Sequence, residues 1–171
     1  MGSSIISRLS KYVNMSGRKL LSKTWIVGQP GLRLSGLKNL TVMLCKTHRP
    51  KKVIIHAGAN DIGYQSAKTW IDTLESILTS LIETFPNTTF IWSDMLPRLK
   101  YRNHGTKQAE KKRRRWNVAA RQLFYRKGFN WVVHPVLQVE KNLISWDGVH
   151  LSTDGQKTLL RDFEEHIQNK A

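Results

Sequence analysis

Short apolar runs alternate along the chain with longer segments in which apolar residues recur at helical spacing. The short runs predict strands at residues 24–28, 52–57, 88–93 and 130–134. The helical spacing predicts helices at residues 3–13, 34–45, 67–84, 107–127 and 153–168. Strands and helices therefore take turns along the chain.

This alternation predicts the class of fold. Strands that are apolar throughout are typical of a parallel sheet covered by helices on both faces. We therefore expect one α/β domain over residues 1–171, a three-layer α/β/α arrangement of the flavodoxin-like kind. Ligand sites in such sheets gather at the carboxyl ends of the strands, so we expect the functional site at that edge.

Four short blocks that follow predicted strands or precede helices carry the candidate chemistry. They are Gly2-Ser3-Ser4, Gly31, Gly58-Ala59-Asn60-Asp61 and Asp147-Gly148-Val149-His150. A serine nucleophile requires a base, a carboxylate that orients the base, and fixed donors for the oxyanion. Asp147 and His150 can present the carboxylate and the imidazole to one pocket. The oxyanion donors would be the backbone N–H of the nucleophile, the backbone N–H of Gly31 and the side-chain amide of Asn60.

Each block also has a simpler interpretation. Ser3 and Ser4 precede an apolar helical stripe and suit a helix N-cap. Asn60-Asp61 suits a turn after a strand, and Gly31 suits the turn that follows Pro30. The histidine and cysteine spacing predicts no metal site.

Together the blocks resemble those of the SGNH hydrolases, the superfamily of GDSL-type esterases and lipases. The resemblance places Ser4 at the nucleophile position, Asn60 at the oxyanion position, and Asp147 and His150 at the carboxylate and base positions. It implies hydrolysis of small-molecule or lipid carboxylic esters through an acyl-enzyme, with no cofactor and no metal. The wider wording, including Trp92-Ser-Asp-Met-Leu-Pro-Arg98, is similar to SGNH-type domains encoded by some animal retroelements.

The chain departs from the family pattern in its first block. Ser3 replaces the usual aspartate, and only Met1 stands before Gly2, where the family has a strand that leads into the nucleophile. A central strand bonds to two neighbours, so we expect a first strand that is missing or truncated. Either the neighbouring strands close over the gap, another segment fills it, or the chain is a truncated form. A loosely held Ser4 would lose activity.

The charge of the chain suggests a second function. The net charge is +16, and residues 98–127 hold twelve Lys or Arg against one acid. The charge peaks in the run Lys111, Lys112, Arg113, Arg114 and Arg115. Such a run is typical of a solvated helix face, a nuclear-import signal or a nucleic-acid contact. The alternative function is therefore a catalytically weak SGNH-like domain that binds nucleic acid, or an anionic membrane surface, through residues 98–127.

Targeting features are few. The chain has one cysteine, no apolar run as long as a membrane span, and no amino-terminal signal-peptide pattern. We expect an intracellular protein of the cytoplasm or nucleus, without a transmembrane segment.

Overall fold

A computed structural model describes residues 1–20, 23–101 and 104–168. At its centre lies a parallel sheet of three strands in the order β1-β2-β3. The strands are β1 (Lys52–Ile55), β2 (Thr89–Ser93) and β3 (Asn130–Val132). Ile55 pairs with Trp92, and Trp92 pairs with Trp131. The parallel sheet predicted from the apolar runs is confirmed.

Helices cover both faces of this sheet. They are α1 (Ser4–Ser16), α2 (Leu34–His48), α3 (Ala67–Thr84), α4 (Thr106–Arg126), α5 (Pro135–Val139) and α6 (Thr153–Gln168). Single 3-10 turns lie at Ala59–Asp61 and Lys141–Leu143. Helices α2, α3 and α4 share one apolar core with the sheet, and α1, α5 and α6 share another. The three-layer α/β/α arrangement is therefore confirmed.

The first core is built around tryptophans. The ring of Trp70 stacks on that of Trp116 at 4.6 Å and meets Trp92 edge-on at 5.9 Å, and all three side chains are buried. In the second core, Ile6 and Leu9 of α1 lie in the same buried cluster as Leu160 of α6. This packing fixes α1, and hence its first residue, against α6.

The amino terminus lies beside β1 in the position of a further parallel strand. The ammonium group of Met1 donates to the carbonyl oxygen of Ile54 at 2.7 Å. The N–H of His56 donates to the carbonyl of Met1 at 2.9 Å, and the N–H of Ser3 donates to the carbonyl of His56 at 3.2 Å. Three residues thus continue the ladder of β1 in register.

Gly2 alone pairs on the other side, with the segment around Gly28. The N–H of Gly2 donates to the carbonyl of Val27 at 3.0 Å, and the N–H of Gln29 donates to the carbonyl of Gly2 at 2.8 Å. Gly2 therefore forms parallel bridges to both Gly28 and His56. Residues 1–3 thus occupy the position of the first strand and separate its two neighbours.

Beyond Met1, residues 23–27 and residues 51–54 do not close over the gap between them. A cavity of about 710 Å³ lies between residues 23–27 and residues 51–54, and Met1 lines one end of it. The strand predicted at residues 24–28 is wrong, because only Gly28 forms a bridge and residues 24–27 have no strand conformation. An extended segment becomes a regular strand only when a neighbour pairs with it, and here the neighbour is Gly2 alone.

Candidate functional site

Ser4 begins α1 at the carboxyl edge of the sheet. A Cβ atom on Gly2 would lie 2.2 Å from the carbonyl oxygen of His56, so only glycine lets the chain approach β1 this closely before it turns into the helix. Ser3 holds the N-cap position and its side chain makes no capping hydrogen bond. The interpretation of this block as a side-chain N-cap is therefore not supported, and Ser4 is the first helical residue.

The structure brings Ser4 together with the block near the carboxyl terminus. The Nε2 atom of His150 lies 3.0 Å from the Oγ atom of Ser4. The Nδ1 atom of His150 lies 2.8 Å from Oδ2 of Asp147. With the ring proton on Nδ1 facing the carboxylate, Nε2 can accept the hydroxyl proton of Ser4. The three side chains form one continuous line of hydrogen bonds.

Asp147 is held by more than the imidazole. Its Oδ1 atom accepts from the backbone N–H groups of Val149 and His150, both at 2.9 Å. Partial burial raises the pKa of Asp147, but these two N–H groups and the His150 ring outweigh burial and bring the pKa below its ordinary value. Asp147 is therefore a carboxylate throughout the physiological range.

Arg8 is a neighbour of the site that the sequence analysis missed. Its Nη1 atom lies 3.2 Å from Oδ2 of Asp147, the oxygen that also faces His150. Arg8 follows Ser4 by one helical turn, so both side chains lie on the same face of α1. That four-residue spacing was the available signal.

The structure shows the surroundings of two candidate oxyanion donors, the N–H of Ser4 and the side-chain amide of Asn60. The N–H of Ser4 lies in the first turn of α1, where N–H groups have no acceptor within the helix and the helix dipole favours negative charge. Asn60, just after β1, donates through Nδ2 to the carbonyl of Leu32 at 3.0 Å. Its Oδ1 atom accepts from Nη2 of Arg98 at 3.0 Å, so the amide group is held from both ends.

Gly31 lies in a tight turn next to the first block. The N–H of Leu32 donates to the carbonyl of Gln29, and Gly31 has a φ of 74°, a left-handed conformation that favours glycine. Gln29 also bonds to Gly2, which ties the turn to the nucleophile block. The turn interpretation of Gly31 is confirmed, and its role as an oxyanion donor stays a prediction.

Asp61, beside Asn60, supports the start of α2. Its carboxylate accepts from the N–H of Leu34 at 3.2 Å and from the Gln65 amide at 2.9 Å. Burial raises the pKa of Asp61 to about 6, although Leu34 N–H, the charge of Arg33 and the Gln65 amide act in the opposite direction. The side chain serves the loop rather than the reacting centre.

A second polar chain lies beneath the site. His56 Nδ1 lies 2.8 Å from Ser93 Oγ, Ser93 Oγ lies 2.8 Å from His134 Nε2, and His134 Nδ1 lies 2.8 Å from Asp162. Ser93 and both histidines are buried, so this serine cannot meet a substrate. The chain links the carboxyl ends of all three strands.

The basic run does not act as one surface. Arg113 is buried, and its guanidinium donates to the Met95 carbonyl at 2.7 Å, to Gln138 at 2.8 Å and to Glu110 at 2.9 Å. Its assignment to a nucleic-acid contact is therefore corrected, because these groups already use its donors. Lys112 is half-buried and donates to the carbonyl of Gln65. Three residues of the run are exposed on α4, namely Lys111, Arg114 and Arg115.

Within residues 1–20, 23–101 and 104–168, no three His, Cys, Asp or Glu side chains come together as a ligand set for a metal ion. In the same part of the chain, no helix has the length and apolar character needed to cross a bilayer.

Comparison with solved structures places the fold among known hydrolases. A GDSL-like lipase from Bacteroides thetaiotaomicron is 17% identical, with a TM-score of 0.80 over 100% of this chain and 87% of that one. A lipase/acylhydrolase from Enterococcus faecalis is 17% identical, with a TM-score of 0.71 over 99% and 93% of the two chains. A family 3 carbohydrate esterase from Clostridium thermocellum is 18% identical, with a TM-score of 0.69 over 95% and 90%. These likenesses establish the fold.

Membership of a family rests on the sequence. No curated protein matches the chain. The sequence model of the GDSL-like lipase/acylhydrolase family, however, matches residues 7–158. Most of the chain lies within that match, and the resemblance carried by the four blocks is confirmed. The chain belongs to the GDSL-like lipase/acylhydrolase family of SGNH hydrolases.

Proposed function

We propose that the protein is a serine-dependent hydrolase of carboxylic esters that works through an acyl-enzyme. The observation that carries this proposal is the line of hydrogen bonds from Ser4 through His150 to Asp147, at 3.0 Å and 2.8 Å. This arrangement meets the requirements of an activated serine: a base in contact with the hydroxyl, and an ionised carboxylate that orients the base.

The first half of the reaction forms the acyl-enzyme. Oγ of Ser4 attacks the ester carbonyl carbon while its proton passes to Nε2 of His150. Asp147 stabilises the resulting imidazolium. The carbonyl oxygen becomes an oxyanion that receives the N–H of Ser4, the N–H of Gly31 and the amide of Asn60. When the tetrahedral intermediate collapses, His150 returns the proton to the departing alcohol.

The second half releases the acid. A water molecule gives a proton to His150 and attacks the acyl carbon from the position that the alcohol has left. The same donors stabilise the second oxyanion, and Ser4 recovers its proton as the carboxylic acid departs. No step in this scheme requires a cofactor.

The substrate class is proposed from the same evidence. The printed names of similar structures include lipases, acylhydrolases and a carbohydrate esterase. We infer a small-molecule or lipid ester as substrate. The likeness of several motifs to retroelement-encoded SGNH domains, and a cytoplasmic or nuclear location, stay predictions from the sequence.

Active-site labelling tests the nucleophile. A fluorophosphonate probe phosphonylates an activated serine, so it should label the unaltered chain and leave Ser4→Ala unlabelled. Ser3→Ala is the matched control, because Ser3 is buried and its side chain makes no capping bond. Equal labelling of the unaltered chain and Ser4→Ala would reject Ser4 as the nucleophile.

The nucleic-acid alternative rests on the exposed cations of α4. Each phosphate contact should give a slope of about −0.9 in the logarithm of affinity against the logarithm of salt concentration. Replacing Lys111, Arg114 and Arg115 by Gln should remove up to about three such contacts. Binding to duplex DNA that is insensitive to salt, or unchanged in this variant, would count against the alternative.

A further inference from the structure

Helix α4 carries a regular stripe of side chains on the face turned away from the core. Its members follow one another at intervals of three and four residues, which places them on one face of the helix. They are Lys107, Lys111, Arg114, Val118, Arg121 and Tyr125; Arg121 is half-buried and the others are exposed. We call this set the α4 stripe. At about 1.5 Å per residue, the α4 stripe is roughly 27 Å long.

The α4 stripe is cationic, and its own helix supplies no acid beside it. The sequence of α4 contains one acid, Glu110. The carboxylate of Glu110 accepts from the backbone N–H of Arg98 at 3.1 Å and pairs with the buried guanidinium of Arg113 at 2.8 Å. Its charge is therefore matched away from the stripe. The remaining positive charge attracts a polyanion.

The carboxyl-terminal end of the α4 stripe borders a groove beside β3. This groove has a volume of about 340 Å³ and is lined by Val118, Arg121, Gln122, Tyr125 and Trp131. We call it the aromatic groove. The rings of Tyr125 and Trp131 stand at 76° to each other, with centroids 6.4 Å apart. Tyr125 is 72% exposed and Trp131 is half-buried, so the pair offers a flat aromatic surface to solvent.

Arg121 is held at this groove from the protein side. Its Nε atom lies 3.5 Å from Oδ1 of the buried Asp94 and donates to the carbonyl of Asn117 at 3.4 Å. Both contacts use Nε, so the terminal Nη atoms can donate to a phosphate. A guanidinium whose stem is already fixed loses little freedom when it binds a phosphate in this way.

We propose that the α4 stripe and the aromatic groove form a binding site for single-stranded nucleic acid. A base stacks on the ring of Tyr125 and meets Trp131 with its edge. Arg121 and Arg114 donate to the phosphates beside this base, and Lys111 follows along the backbone. Stacking requires a free base face, which a duplex hides between neighbouring base pairs. The site therefore selects single strands over duplexes.

Other partners suit this surface less well. A helix that binds a membrane buries its apolar face in the lipid, but the apolar face of α4 packs in the core through Trp116, Leu123 and Phe124. An acidic protein segment would pair with the cations and leave the exposed ring of Tyr125 without a partner. Cations that border a stacking surface are typical of sites for single strands.

Binding at this site does not depend on the proposed esterase. The catalytic residues take no part in it, so Ser4→Ala should bind nucleic acid as the unaltered chain does. The site also differs from a general attraction of phosphate to residues 111–115, because the stacking residues Tyr125 and Trp131 lie outside that run.

Fluorescence anisotropy with a labelled thymidine oligonucleotide of about 12 nucleotides tests the stacking residues. The oligonucleotide should bind at least about 10-fold more tightly than a duplex of the same length. Tyr125→Ala should weaken binding of the single strand by at least about 5-fold, the lower limit for one stacked base. Tyr125→Phe keeps the ring and should stay within about 2-fold of the unaltered chain.

Matched controls separate this site from the rest of the surface. Trp146 is an aromatic residue that is 94% exposed and lies outside α4, so Trp146→Ala should leave binding unchanged. Lys111→Gln should reduce the slope of the logarithm of affinity against the logarithm of salt concentration by about 0.7, the value for one phosphate contact on a single strand. Lys38→Gln, at an exposed position of α2, should leave the slope unchanged.

Any of four results would overturn the proposal. The first is equal affinity for the duplex and the single strand. The second is unchanged affinity in Tyr125→Ala, and the third is a loss in Trp146→Ala as large as that in Tyr125→Ala. The fourth is displacement of the labelled oligonucleotide by phosphatidylserine vesicles or polyglutamate as effectively as by the unlabelled oligonucleotide.

Discussion

Asn60 depends on Arg98 for its orientation. The guanidinium donates to Oδ1 of Asn60, while Nδ2 donates to the carbonyl of Leu32, so the two ends of the amide cannot exchange without losing both bonds. Nδ2 has a second N–H, which can serve the oxyanion. Arg98 was counted only as one cation of a basic segment, because its role depends on a contact across 38 residues.

We therefore predict a graded series at these two residues. Asn60→Ala should lower kcat by about 100- to 1000-fold, the usual cost of one oxyanion donor. Arg98→Ala should lower kcat less, by about 10-fold, with KM nearly unchanged, because it loosens the donor without removing it. Arg98→Lys should recover part of the loss. A larger effect of Arg98→Ala on KM than on kcat would contradict this positioning role.

Asp147 and its neighbour Arg8 should differ sharply in their effect on kcat. Asp147→Asn should lower kcat by about 1000- to 10,000-fold, because an amide can favour the wrong imidazole tautomer and cannot stabilise the imidazolium. Arg8→Ala should change kcat by less than about 5-fold, because the Arg8 side chain is 47% exposed and exposed ion pairs contribute little. Steady-state kinetics on one ester substrate would check both. Similar losses in the two variants would be inconsistent with our assignment.

Among the elements, helix α2 begins at Leu34, whose N–H donates to the carboxylate of Asp61. This carboxylate should make the free energy of unfolding depend on pH. Asp61 has a folded pKa of about 6, above its ordinary value of 3.8. The folded state thus holds the proton more tightly, and the contribution of Asp61 to stability falls as pH rises from about 4 to 6. Asp61→Asn should lack this fall, while its amide oxygen still accepts from Leu34.

Urea unfolding of both forms at intervals between pH 4 and 7 would measure this effect. The difference in free energy of unfolding between the two forms removes the contribution of all other titrating groups. Parallel curves for the unaltered chain and Asp61→Asn would show that Asp61 titrates normally.

Sequence patterns identified most elements because their local and tertiary preferences agree. Helix α3 has the predicted bounds, Ala67–Thr84, since its apolar stripe packs on a core that needs that face. Residues 24–27 fail as a strand because strand conformation requires a paired neighbour. Helix α5 was not predicted, although Pro135 at its first position is a residue that favours the start of a helix.

At the scale of the whole molecule, the buried amino group of Met1 lines the cavity between residues 23–27 and residues 51–54, and this should affect acid stability. The folded pKa of the Met1 amino group is about 5, below its ordinary value of 8.0. The unfolded chain then binds more protons between these values, so stability falls as pH falls from about 8 to 5. Acetylation of the Met1 amino group should remove this part of the pH dependence.

Thermal midpoints of the free and acetylated chains between pH 5 and 8 would test this prediction. His56 also has a lowered pKa, mainly through burial and in part through the charge of the Met1 amino group itself. The part due to burial is common to both chains and cancels in the comparison, whereas the part due to the amino group disappears with it on acetylation. A constant difference between the two chains over this range would contradict a lowered pKa for the amino group.

At this largest scale, the alternation of apolar runs was sufficient to predict the three layers. The four blocks were sufficient to predict which ends of the chain meet, because residues after parallel strands and before the last helix share one edge of the sheet. The cavity could not be predicted, since its size depends on how far the neighbouring backbones stay apart. The buried position of Arg113 could not be predicted either, because its partners, the Met95 carbonyl and the Gln138 side chain, come close only in the folded chain.

Ser4 and His150 are separated by 146 positions in the polypeptide. During synthesis, the serine therefore leaves the ribosome long before the imidazole that would activate it. A nascent or prematurely ended product that stops short of the last loop carries a hydroxyl without a base. On this architecture, the proposed base meets the serine only after the segment that carries His150 has been made, and proteolysis between Asp147 and the serine's partner His150 would disrupt the line of hydrogen bonds.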